Sequence, residues 1–366
     1  MTKGTPPGRN PIRRNILAID VKRDRRHHWR FVIGAVSTRQ LHCTCAVQSE
    51  ACPDQYSGLQ KRNRRRPMAT DIDVKSITTL DDQADPTFNQ LLGINNEGTI
   101  AGYFGSGLPG HPNKGYTLTP PYGQGNYHNE NFLGSVQTQV TGINNNGVTV
   151  GFWADANNAN NANNNFGFYQ KNGSLFDVVD PMGQGKAANG MTVEQLLGVN
   201  DKDKAVGFWT DANGNNHGFT YDIGSKSFNE DNIAGFASTE TTAINNEGHI
   251  AGFVAANGND VSFIQKGNQL EWLNGPKGAV STQAFGINNA DQVVGSYTDA
   301  TGAMHGFLFD EKSKTYATID DPNGVKGPTG MTVLNGINDK GQVAGFYLDA
   351  AGNTDGMLVQ VSVHHS

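Results

Sequence analysis

The chain has 366 residues, of which 36% are apolar, 17% are charged and 46 are Gly. Each Gly costs a helix about 1 kcal/mol, so this load excludes a helical bundle and favours short strands joined by tight turns. No apolar run approaches the roughly 18 residues of a membrane-spanning helix, so membrane insertion is not expected, and the length suits one or two domains.

The charge divides the chain in two. Residues 1–67 carry 15 Lys+Arg against 4 Asp+Glu, a net of +11, while residues 68–366 carry 13 against 30, a net of −17. Every Arg lies at or before Arg66, and all three cysteines (Cys43, Cys45, Cys52) fall in the first piece. Such a break marks a boundary. Residues 1–67 hold basic runs such as RDRRHHWR and KRNRRRP. They read as a nucleic-acid-binding arm, as a targeting segment, or as a basic, disordered leader. In the last case Met68 stands where a natural start would be, and this is the expected reading. Phe31–Val36 is too short for the apolar stretch of a signal peptide. Cys43-x-Cys45 with Cys52 lacks the paired spacing and His partners of a zinc site.

Residues 68–366 are repetitive. Ile/Val-Asn recurs with its Asn at Asn95, Asn144, Asn200, Asn245, Asn288 and Asn338, and a Gly follows seven residues later each time: Gly102, Gly151, Gly207, Gly252, Gly295, Gly345. The intervals of 49, 56, 45, 43 and 50 residues match the period of a four-stranded propeller blade. In chain order, strand a of each repeat ends in Gly-Ile-Asn or a close variant, and a tight Asn/Gly turn follows. Strand b (TIAGYF, VTVGFW, KAVGFW, HIAGFV, QVVGSY, QVAGFY) is apolar on both faces, as for a strand sandwiched between neighbours. Its fixed Gly predicts close approach of another group. A variable loop leads to strand c (HGFTYD, HGFLFD), and strand d (KTYATID) is short and half-polar.

The last repeat runs out after strand c, whereas Asp73–Asp82, which contains VKSITTLDD, precedes the first strand a and matches KTYATIDD. The N-terminal strand is therefore expected to complete the last blade and remove the open edges. The fold class expected is all-β: a six-bladed β-propeller of four-stranded blades. Two fused β-trefoils and an open repeat array are the alternatives.

The composite T-x-x-x-G-I-N-x-x-G-x-x-x-G-F-Y-x-D-x-x-G-x-x-H-G-F-L … T-I-D-x-P resembles the bacterial HAF-type extracellular repeat family. Repeat 5, GINNADQVVGSYTDATGAMHGFLFDEKSKTYATIDDPNG, is nearest to it. Repeat 4 departs most, with Val261-Ser262-Phe263 in place of His-Gly-Phe. The resemblance covers about residues 72–360. It implies a β-propeller and export to the cell surface or beyond; it carries no activity over to particular residues. The lack of a clear signal peptide keeps a cytoplasmic location as the alternative.

In a propeller the b–c loops and d–a crossovers share one face, and the a–b and c–d turns share the other. The a–b turns here have one length, while the b–c loops and crossovers vary, so a site is expected on the variable face. Its candidate ligand-binding residues are Trp153, Trp209, Tyr297 and Tyr347 at the ends of strand b, with Asp155, Asp211, Asp299 and Asp349 in the loops that follow. Aromatic faces beside carboxylates suit sugar rings. The bland reading packs the aromatics between blades and spends the Asp on Asx turns. The Asp set could also hold calcium, and Asp211-x-Asn213-x-Asn215 is similar to a calcium loop. It lacks the Gly and closing Glu, so no metal or other cofactor is expected. His217 and His305 share one slot, which points to a structural hydrogen bond. The six strand-end Asn are expected to cap turns, and the tract Asn157–Asn165 reads as a low-complexity, mobile loop.

No Gly-x-Ser-x-Gly, His-Glu-x-x-His or phosphate-binding loop occurs. Without Arg after residue 66, bidentate guanidinium recognition is unavailable to the repeats, and −17 argues against nucleic acid. The expected function is a non-enzymatic binding or scaffold propeller that recognises a glycan or surface polymer. A polysaccharide hydrolase or lyase with its site at the channel mouth is the alternative.

Overall fold

The computed structural model describes residues 70–155, 164–179 and 192–365. These residues form six four-stranded antiparallel sheets, the blades of a six-bladed β-propeller, with one 3-10 turn at Gln124–Asn126. The leader and its cysteines lie outside the described residues. Strands a to d are Asn89–Ile94, Ile100–Phe104, Lys114–Leu118 and Tyr127–Asn129 in blade 1, and Gln137–Ile143, Thr149–Ala154, Asn165–Lys171 and Ser174–Val178 in blade 2. Blade 3 has Glu194–Val199, Lys204–Thr210, Asn216–Asp222 and Ser227–Glu230; blade 4 has Thr239–Ile244, Ile250–Ala256, Asn259–Lys266 and Gln269–Leu273. Blade 5 has Ala279–Ile287, Gln292–Asp299, Met304–Asp310 and Thr315–Thr318.

Blade 6 takes strands a to c from Thr332–Ile337, Gln342–Leu348 and Thr354–His365, and its strand d from Thr70–Thr79. The register runs from Thr70 opposite His365 to Thr79 opposite Met357, and the Leu80 N–H continues it onto the Gly356 carbonyl at 2.9 Å. The ring thus closes as expected, by a strand at Thr70–Thr79 that starts three residues before the Asp73–Asp82 match.

Most apolar residues of strand b are buried in every blade, with Phe104, Trp153 and Leu348 partly exposed, and strand d is largely exposed in blades 2, 3 and 4. The fixed Gly of strand b is set by contact. A Cβ on Gly207 would collide with the Gln195 carbonyl of strand a, and the same clash recurs at Gly102, Gly151, Gly252, Gly295 and Gly345. All six a–b pairs slip register one or two residues before the end of strand a, as at Leu91/Gly93 and Val140/Gly142. This bulge brings neighbouring inner strands into backbone contact: a Cβ on Gly93 would stand 2.9 Å from the Gly142 Cα. Ala243 occupies the equivalent position in blade 4.

The strand-end Asn do more than cap. Each Oδ1 accepts the N–H of the second and fourth residues after it, at 2.9–3.1 Å. Each Nδ2 then donates to the carbonyl of the corresponding Asn in the next blade: Asn95 to Asn144, Asn144 to Asn200, Asn200 to Asn245, Asn245 to Asn288, Asn288 to Asn338, and Asn338 back to Asn95, at 2.8–3.2 Å. A second ring lies one residue on. The N–H groups of Asn96, Asn145, Asp201, Asn246, Asn289 and Asp339 each donate to the next Oδ1, at 2.7–2.9 Å.

Asn165 does not belong to a mobile loop. It starts strand c of blade 2, fully buried, because its Oδ1 accepts from Gln195 Nε2 of blade 3 at 3.0 Å. The rest of the tract, 157–163, lies outside the described residues, apart from Asn164, which bonds Asp155.

Two outcomes follow. Asn144→Asp keeps the turn-capping oxygen but sets a carboxylate oxygen against the Asn200 carbonyl, in a position 3% exposed. It should cost about 3 kcal/mol, a Tm fall of roughly 5–10 °C by circular dichroism; a melt indistinguishable from wild type would reduce the Asn to a local cap. Deleting residues 68–82 should leave strand c of blade 6 as an open edge and cause aggregation or a large fall in Tm. Unchanged melting would refute the closure.

Candidate functional site

The end of strand b, the loop after it, the start of strand c and the end of strand d meet on one face of each blade. In four blades a main-chain device repeats there. The strand-c residue beside the predicted slot donates its N–H to a side chain at or just after strand d: Gly115 to Asn131, Gly218 to Asn232, Gly306 to Asp320 and Gly356 to Asp81. In blade 4 Ser262 turns instead to the Thr282 hydroxyl of the next blade.

The four predicted Asp build the b–c turns. Oδ1 of Asp211 accepts from the Asn213 and Asn215 N–H groups, that of Asp299 from Thr301 and Ala303, and that of Asp349 from Ala351 and Asn353. Asp155 holds Asn164 through both oxygens. Burial opposes the charge on Asp211, but the Asn215 N–H, His217 and further donors hold its pKa at about 2. At Asp299 burial is likewise outweighed by the Thr301 hydroxyl and N–H groups, and its pKa is lowered.

Of the predicted aromatics, Trp209, Tyr297 and Tyr347 are buried. Trp209 belongs to the core cluster of blades 2 and 3, and stacks on His217 with centroids 4.2 Å apart. The Tyr297 and Tyr347 hydroxyls lie 3.0 and 3.1 Å from Thr318 and Thr79 of their own strand d. Each is paired across the sheet with the slot residue before the strand-c Gly: Trp209 with His217, Tyr297 with His305, Tyr347 with Asp355. His217 sits between Asp211 Oδ2 and Asn232 Nδ2, each at 3.2 Å. His305 sits between Asp320 Oδ2 at 2.7 Å and Asp299 Oδ2 at 3.5 Å. Both nitrogens of each imidazole are thus engaged. In blade 6 the slot holds Asp355, near Asp349 and Asp81. Burial, followed by the charges of Asp355 and Asp349, outweighs the Gly356 N–H and raises the Asp81 pKa to about 6; Asp355 shifts upward for the same first reason.

Trp153 differs. It is half-buried, stacked on Phe132 at 4.6 Å and beside Phe166 at 4.9 Å, and its indole N–H donates to Asp177 Oδ1 at 2.7 Å. Here the slot residue is Phe166. A cavity of about 440 Å³ opens over this arrangement, lined by Leu133, Gly134, Trp153, Asp155, Phe166, Asp177 and Val179. Leu133 is 92% exposed. Phe166 and Asp177 were not among the expected residues. The signal was the Phe-Gly-Phe that stands in blade 2 where blades 3 and 5 have His-Gly-Phe.

A second cavity, of about 80 Å³, sits at the channel mouth on the opposite face, lined by the two Asn/Asp rings. Asp201 accepts the side-chain amides of Asn145 and Asn246, and Asp339 those of Asn96 and Asn289. The mouth therefore satisfies its own polar groups, and it is large enough only for a few waters.

No family model and no curated protein matches the chain. Solved structures align with most of the chain at low identity. The AofleA protein of Arthrobotrys oligospora is 10% identical with a TM-score of 0.49, over 81% of this chain and 90% of its own. The Aleuria aurantia lectin AAL, solved with Fucα1-6GlcNAc, is 11% identical with a TM-score of 0.48, over 75% and 94%. A polysaccharide lyase of family PL25, an ulvan lyase, is 9% identical with a TM-score of 0.42, over 74% and 77%.

The blade 6 carboxylates predict a pH signature. An Asp titrates near 3.9 when unfolded and Asp81 near 6 when folded, so between those values the folded state binds more protons. Its contribution to stability is full below about pH 4 and lost as pH rises through 6. Asp81→Asn keeps an oxygen for the Gly356 N–H. It should raise Tm at pH 7.5 and leave it unchanged at pH 4; an equal effect at both values in thermal melts would remove this role.

Proposed function

We propose that this protein is a non-enzymatic, carbohydrate-binding β-propeller of the HAF-type repeat kind. It acts at the cell surface or outside it and holds a glycan or surface polymer on the face of its b–c loops and d–a crossovers. The observation that carries this reading is the blade 2 cavity, which joins an indole and a phenyl ring to two carboxylates. Sugar rings stack their C–H faces on such aromatics while their hydroxyls donate to carboxylate oxygens. The volume falls within the ~300–1,000 Å³ range of small-ligand sites. Binding fits this chemistry better than catalysis, because His217 and His305 are tied on both sides to neighbouring Asp, Asn or both.

The test is a glycan-array screen followed by titration of the ligands found. Trp153→Ala should weaken binding at least about tenfold, the loss of one stacked ring, with Tm little changed. Trp209→Ala should instead cost about 3–5 kcal/mol of stability, as for a buried aromatic. Glycan binding untouched by Trp153→Ala, or abolished by changes at Asn96 and Asn145 instead, would overturn the site.

A further inference from the structure

The charge of the blade 2 cavity goes further than its shape. Among the described residues that line it, the ionisable ones are Asp155 and Asp177, with no Lys or His. Asp155 holds Asn164. Asp177 spends Oδ1 on the Trp153 indole; its Oδ2 has no hydrogen bond among the described residues. The walls beside these carboxylates are the Trp153 and Phe166 rings and the Leu133 and Val179 side chains. A cation held over an aromatic face gains from the ring quadrupole, most at Trp, and a carboxylate beside it adds a charge-assisted hydrogen bond. An anionic sugar would meet two like charges, in a propeller region whose net charge is −17 with 13 cations against 30 anions, and like-charge juxtaposition disfavours a partner strongly.

From this we infer that the cavity selects an amine-bearing sugar, a glucosamine-type residue with a free ammonium group, over neutral N-acylated and acidic sugars. The inference rests on the carbohydrate reading above and names its substrate class. The ring C–H face lies against Trp153 and Phe166, and the ammonium points to Asp155 and Asp177.

The experiment titrates the full chain by calorimetry at low salt and pH 5.5 with three probes of equal length: a glucosamine oligomer, its fully N-acetylated counterpart and a galacturonate oligomer. The glucosamine oligomer should bind at least about tenfold more tightly than the N-acetylated one, with the advantage shrinking as salt screens the charges. Asp155→Asn with Asp177→Asn keeps the acceptor oxygens and should bring the two probes within about twofold. A charge-matched control far from the cavity, Asp71→Asn with Glu97→Gln, should leave the gap intact, which separates a local effect from the field of the whole propeller. Trp153→Ala should weaken both probes. If the N-acetylated oligomer binds equally well in a Trp153-dependent way, the carbohydrate reading stands and the amine inference falls. If galacturonate binds most tightly, or the double Asn variant keeps the gap, the inference is likewise overturned. If none of the three binds and the array is silent, both fall together.

Discussion

Each blade hands one side-chain amide to the next, and the sixth hands its own back to the first. This cycle of Asn95, Asn144, Asn200, Asn245, Asn288 and Asn338 is the constraint on which the rest of the propeller depends. The side chain must accept two turn N–H groups and donate across the blade interface at once. Asp caps a turn equally well but has no donor when ionised, and Ser is shorter and has a single O–H. Only Asn fills all three roles from this backbone position. Because the cycle is buried, any member that fails leaves unsatisfied groups in its neighbours. This explains why the a–b turns keep one length and one residue while everything on the opposite face varies.

The same closeness accounts for the Gly before Ile-Asn. The inner strands bulge toward the axis until their backbones touch, and a side chain at Gly93 or Gly142 would hold them apart. Ring and bulge work together: the contact sets the distance over which the amides must reach. The outer ring has a lower symmetry. Its two carboxylates, Asp201 and Asp339, stand three blades apart and each gathers amides from both sides. At the junction between blades 4 and 5 the Asn245 amide also reaches the Asp291 carboxylate at 2.8 Å, and an ionic network joins it. There Asp291 accepts from Lys266 and His249 of blade 4, and Lys314 of blade 5 reaches Glu271. Different chemistries thus reinforce different seams of one backbone cycle.

The blade count, the four-strand order and the closure by Thr70–Thr79 were legible because they depend on periodic spacing, which a linear chain displays directly. Asn95 and its counterparts were legible as caps, a contact two to four residues away. Their link to the next blade was not, because it joins residues 43 or more positions apart. The aromatics show a different limit. Trp153, Trp209, Tyr297 and Tyr347 occupy one position of the repeat, yet Trp153 lines the blade 2 cavity while the other three are buried. What separates them is the cross-strand partner, and pairing register becomes visible only when the sheet is formed.

That partner is where the variable face acquires its differences. In blades 3 and 5 a His fills the slot, links the loop Asp to a side chain after strand d, and stacks against the strand-b aromatic. The result is a closed and satisfied surface. In blade 6 an Asp fills it, and the carboxylates crowd together. In blade 4 a Val pairs with a Val, and the slot is apolar. In blade 2 a Phe fills it; with no ring nitrogen to bind Asp155 or Asp177, the two carboxylates are left at the rim of an aromatic floor. A single position before the strand-c Gly therefore decides whether a blade seals its end or opens it, and the Asn cycle on the far face holds the backbone constant while that choice is made.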